Sequence, residues 1–128
     1  MKKNTFYKIS RNIYLIEKYF KDPEQFGFIE LFENGRIEIS IKKNAKPWVK
    51  VLGLHHELSH LVEFLVEDAI EKHKNENKRI SKSEKIACLI SNIVAWVANH
   101  IDWYIEGIKQ LQMKPERLTT KNLEKDLK

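Results

Sequence analysis

From Pro47 to about Lys72, apolar residues recur at Val51, Leu54, Leu58, Leu61 and Leu65, and this stripe constrains the fold more than any other feature of the sequence. Steps of three and four residues match the 3.6-residue turn, so the spacing predicts an α-helix that buries one face. Pro47 suits its first turn, where the missing N–H would have had no partner. His56, His60, Glu63 and Glu67 advance in the same steps on a different face. One face therefore builds a core while another presents imidazoles and carboxylates.

The segments around this helix point to an α+β domain. Phe26 and Phe28, then Ile37, Ile39 and Ile41, alternate at a period of two around Asn34-Gly35, which predicts a β-hairpin from about Phe26 to Lys42. Ile9, Ile13, Ile16 and Phe20 recur at near-helical spacing and predict a short helix over Phe6 to Phe20, ended by Asp22-Pro23. His73 to Lys82 reads as a Lys/Asn-rich loop closed by Ser81 and Glu84 at capping-box spacing. A second long helix then follows the stripe Ile86, Ile90, Ile93, Val97, Ile101, Tyr104, Ile108 and Leu111 for about seven turns, until Pro115 stops it. Residues 1–114 form one domain in this reading, and 115–128 a charged tail.

Bulk properties narrow the classes. The sequence has 128 residues, 42% of them hydrophobic, enough for one core. The net charge of +5 comes from 23 basic and 18 acidic residues, and the lysines are spread along the chain. That pattern reads as a solvated exterior and speaks against a nucleic-acid partner, which would gather basic and aromatic residues on one face. Cys88, the single cysteine, excludes an internal disulfide and suits a reducing compartment; its apolar neighbours suggest a core position. Charges at Lys8, Arg11, Glu17 and Lys18 interrupt any signal-peptide core, and the uncharged run Ile86 to Ile101 falls short of a membrane span. A cytoplasmic protein without a membrane partner is expected.

The chemistry lies in His56-Glu57-Leu58-Ser59-His60. Residues four apart on a helix stack one above the other, so His56 and His60 can aim imidazole nitrogens at one point. Zn²⁺ suits such a point. A catalytic zinc takes three protein ligands, keeps one position for water, and lowers the pKa of that water to about 7. Glu57 is then placed to take its proton as water attacks a peptide carbonyl. His55 points elsewhere. Glu63 shares the face of the pair, but three side chains of one straight helix converge poorly on one ion. Glu84, at the start of the next helix, leads the candidates for the third ligand, with His100, His73 and Asp102 behind it. A tight antiparallel helix hairpin would leave Glu84 about 18 Å along the axis from His60, and a ten-residue loop could bring it back.

The order of hairpin, His56-Glu57-Leu58-Ser59-His60 helix and Glu84-Lys85-Ile86-Ala87 resembles a minimal zincin domain, most closely the ImmA/IrrE type of metallopeptidase and short zincin-like proteins of phages and mobile elements. The resemblance spans roughly Phe26 to Ala98. It implies zinc ligands His56, His60 and Glu84, with Glu57 as general base. It also implies hydrolysis of a peptide bond in a specific protein partner, often a transcriptional repressor. The chain differs from that pattern in having Cys88 where an Asn commonly follows the Ala, and in its Lys-rich insertion between the helices. Two other functions fit the sequence: a zincin-like binding protein without turnover, and a basic helical protein that binds nucleic acid.

Overall fold

A computed structural model describes residues 3–113 of the chain. It is an α+β structure with four strands and three helices among the described residues. These are β1 (Thr5–Lys8), β2 (Ile13–Lys18), β3 (Gly27–Leu31), β4 (Ile37–Lys42), α1 (Pro47–Lys72), α2 (Glu76–His100) and α3 (Asp102–Gln112). The strands form one mixed sheet in the order β1-β2-β4-β3, antiparallel except where β2 lies parallel to β4.

The helix expected over Phe6 to Phe20 is instead the β1–β2 pair. Ile9, Ile13, Ile16 and Phe20 have helical spacing, but β2 is a central strand covered on both faces. Leu15 and Ile16 are both fully buried although they point to opposite faces. Such a strand reads as a nearly continuous apolar run, which can mimic a helix stripe. The expected hairpin is present as β3 and β4, with Leu31 opposite Ile37. Its turn differs from a two-residue connection: Phe32 N–H bonds to the Arg36 carbonyl, and Gly35 alone has a positive φ, of 89°. Only glycine enters that region freely.

α1 occupies Pro47 to Lys72 as its stripe requires, laying Val51, Leu54, Leu58 and Leu61 on Leu15, Ile39 and Ile41 of the sheet. The loop expected over His73 to Lys82 is mostly helix. Asn75, rather than Ser81, caps α2, its side-chain oxygen accepting from the N–H groups of Asn77 and Lys78 at 2.8 and 3.4 Å. Cys88 is exposed rather than in the core.

The second stripe is likewise divided. At Ile101 (φ −121°, ψ 111°) the chain steps out of helical geometry, and α3 leaves α2 at 99°. The stripe stays in phase across this corner, so α2 contributes Ile93 and Val97 and α3 contributes Tyr104 to the same core. The break lets α3 fold back onto α1, where burial exceeds what a straight helix running into solvent could gain. Pro115 and the tail from Glu116 lie outside the described residues. No single described helix is long and apolar enough to cross a membrane.

Gly107 makes the α1–α3 crossing possible. A Cβ there would lie 2.5 Å from Val51 Cγ2 and 2.6 Å from the Pro47 carbonyl oxygen. Backbone cannot yield cheaply, so Gly107→Ala is expected to destabilise the fold by about 1–3 kcal/mol or more, despite the better helix propensity of alanine. Urea unfolding checks this; an unchanged midpoint would mean that α3 packs elsewhere.

Candidate metal centre

α1 carries His56 and His60 one turn apart on the side away from the core stripe. Their Nε2 atoms face each other at 3.1 Å, with the rings nearly perpendicular and centroids 4.7 Å apart. Two imidazoles bound to one tetrahedral zinc, with Zn–N bonds of about 2.0–2.1 Å, hold their nitrogens about 3.3–3.4 Å apart. The pair therefore fits a shared cation with a few tenths of an ångström of adjustment.

The surroundings orient the rings. Phe26, just before β3, presses edge-on to His56 with centroids 5.7 Å apart. Nδ1 of His60 lies 3.3 Å from the Glu63 carboxylate. Donation from Nδ1 to that carboxylate leaves the Nε2 lone pair free, as metal-binding histidines generally require.

Glu57 faces inward between these histidines and the sheet and is only 4% exposed. The edge strand β3 comes against it at Gly27, where an added Cβ would meet Glu57 Cγ and Oε1 at 3.3 Å and the Ser40 carbonyl at 2.9 Å. Glycine is thus what lets strand and carboxylate meet. Burial pushes the Glu57 carboxyl above the ordinary carboxylate range, and the nearby His56 and His60 charges oppose this more weakly.

The other expected site residues are not brought to the pair. Glu84 is exposed on α2, next to Ser83, which shares a hollow with Val66, Ala69 and Ile70. α2 begins at Glu76, so its first two turns carry Glu84 back along α1, but not into a group with His56 and His60. Helix takes the place of most of the expected ten-residue return loop. His73 caps α1, where its carbonyl accepts from Arg79 at 2.5 Å. His100 stacks on Trp96 at 4.3 Å and bonds to that residue's carbonyl oxygen. Asp102 is exposed at the start of α3. Among the described residues, no group of three His, Cys, Asp or Glu side chains is placed to hold a metal ion.

Two contacts, one at the site and one beside it on α1, were not evident from the sequence. A glycine opening a strand pattern signals close backbone approach, so Gly27 was detectable in kind. The His55–Tyr104 pair, with Nε2 and the phenol oxygen 2.7 Å apart, joins residues 49 positions apart and leaves no local signal. Burial holds the His55 imidazole below its usual pKa and the Tyr104 phenol above its own, so both stay neutral near pH 7. No family model, curated protein or solved structure matches the chain.

Proposed function

We propose that the chain is a zinc-dependent metallopeptidase of the zincin type, hydrolysing a peptide bond in a specific protein partner. The observation that carries this reading is the pair of imidazole nitrogens 3.1 Å apart beside a buried glutamate on the same helical turn. His56 and His60 would hold the metal through Nε2. Zinc, when bound, supplies a Lewis acid that acidifies water and polarises a carbonyl.

The chain's own residues divide the remaining work. Glu63 holds the His60 proton on Nδ1, and Phe26 limits rotation of the His56 ring. Glu57 accepts the proton of the attacking water at its carboxylate and returns it to the departing amine. Its burial against Gly27 keeps the carboxylate in one place and poorly hydrated, which suits a base with a raised pKa. A catalytic zinc takes three protein ligands, so this reading requires one more donor to join the pair when metal is bound.

Zinc titration tests the reading. Binding of about one ion per chain is expected, and His56→Ala or His60→Ala should weaken it by more than about a hundredfold, beyond the effect of losing an outer partner. Glu84→Gln should leave the affinity unchanged, because Glu84 is not grouped with the histidine pair. Equal zinc affinity in the wild type and both histidine variants would remove the metal site, and the peptidase with it. The two-donor set favours a second reading: a zincin-like scaffold that binds a protein segment without turnover. Capture of a partner by zinc-loaded protein, with the partner recovered intact, would select it.

A further inference from the structure

Two hollows lie in series along the seam between α1 and α2. The nearer one, about 300 Å³, has Leu58, Val62, Ile90 and Val94 among its walls and Ser59 at its edge. The farther one, about 310 Å³, is walled by Val66, Ala69, Ile70, Ile80 and Ile86. Leu58, Val62, Val66 and Ile70 advance by four, so one strip of α1 serves both hollows over about 18 Å. The two hollows thus follow one another along the seam, the first at the level of the His56–His60 turn. The seam stays open at its far end, where Ile70 and Ile80 are 50% and 56% exposed.

The rim has a definite charge. Glu63, exposed on α1, stands at the edge of the histidine face that is nearer to the groove wall. Glu76 lines the far hollow, and exposed Glu84 follows Ile80 by one turn of α2. Lys78, Lys82 and Lys85 fall about half a turn away from Ile80 on the same helix. Arg79 also lines the far hollow, and its guanidinium, which bonds to the carbonyls of His73 and Ile70, is the one cation there among the described residues. Along the two hollows the carboxylates Glu63, Glu76 and Glu84 thus outnumber the guanidinium of Arg79, in a chain whose net charge is +5.

An apolar floor three turns long with an acidic rim complements an amphipathic helix whose polar face is cationic. The sign of the rim disfavours nucleic acid. We propose that the α1–α2 groove docks a cationic amphipathic helical segment of the protein substrate and so holds the substrate beside His56 and His60. Identifying the bound protein as a substrate rests on the metallopeptidase reading; the docking does not.

The probe is a labelled helical peptide of about 14 residues, about four turns, built of Leu at i, i+3, i+4 spacing and Lys elsewhere. Its control carries Glu for each Lys. Fluorescence anisotropy with the full chain bearing Glu57→Gln, without zinc, measures binding apart from hydrolysis. The cationic peptide is expected to bind at least about tenfold more tightly than the control, with affinity falling as salt is added. Glu63→Lys with Glu84→Lys should lower its affinity about tenfold or more, the milder Glu63→Gln with Glu84→Gln less, and Lys82→Glu on the opposite strip should not lower it. Ile70→Ser with Ile80→Ser should also weaken it, with the helical circular dichroism retained.

Equal binding of both peptides, no binding, or binding indifferent to the Glu63 and Glu84 changes would overturn the proposal. So would a dimer in sedimentation that Ile70→Glu with Ile80→Glu dissociates, since a second copy would then fill the groove. Loss of docking with proteolysis intact would defeat this proposal alone. Docking without proteolysis would defeat the peptidase reading alone.

Discussion

Replacing Glu57 with glutamine is expected to lower the rate of peptide hydrolysis by about 10²- to 10⁴-fold while zinc still binds through His56 and His60. The amide matches the carboxylate in shape, so it fills the space against Gly27, where Glu57 Oε1 lies 3.3 Å from the position of an added Cβ. It cannot accept a proton from water. Because Glu57 is buried, exchanging an ionisable group for a neutral one should not lower the melting temperature. Turnover of a partner protein, zinc content and thermal unfolding of the same preparation separate these effects. A variant that cleaves at the wild-type rate would show that another group takes the proton. A variant that loses zinc as well would show that Glu57 shapes the site rather than serving it as a base.

Replacing Lys50 with methionine is expected to destabilise the fold by about 3–5 kcal/mol, or about 10–20 °C in melting temperature for a domain of this size. Lys50 Nζ lies 2.6 Å from Glu17 Oε1, the two side chains being 11% and 6% exposed, and the Tyr7 hydroxyl donates to the other Glu17 oxygen at 2.5 Å. This network ties the first turns of α1 to β1 and β2. Removing the lysine alone strands a buried carboxylate with one partner. Removing both charges, as Lys50→Met with Glu17→Leu, should recover much of the loss, because the desolvation cost of the pair disappears with it. Chemical unfolding of the single and double variants measures the difference; a single variant as stable as the wild type would mean that water reaches the pair.

The Tyr7 phenol sets an alkaline limit to the same network. Burial first, then its hydrogen bond to Glu17 and the negative charges of Glu17 and Asp102, raise its pKa well above 10. The folded state therefore keeps a proton that the unfolded chain gives up. This stabilisation is complete below about pH 10 and is lost as the pH climbs toward the folded value.

The parts of the fold that could be read from the sequence are those whose pattern is local. α1 announced itself because five apolar residues and four polar ones keep one helical period on two faces. The β3–β4 hairpin did so because alternation flanks an Asn-Gly turn. The β1–β2 pair did not. Burying β2 on both faces removed the alternation that marks a strand, and Ile9, Ile13, Ile16 and Phe20 fell by coincidence into helical steps. The start of α2 was hidden by lysines and asparagines, which are compatible with a helix and typical of a loop. The corner at Ile101 was hidden because the apolar stripe continues through it.

At the candidate site the division is sharper. The sequence by itself determined that His56 and His60 meet and that Glu57 stands beside them, because one helical turn relates all three and local hydrogen bonds enforce that turn. It also determined that a core stripe would bury the opposite side of their helix. Only the tertiary structure decided that Glu57 would be enclosed by Gly27, that His55 would reach Tyr104, and that Glu84 would stay apart from the histidine pair. Those outcomes depend on where distant segments pack, and packing is settled by the summed burial of the whole core rather than by spacing along the chain.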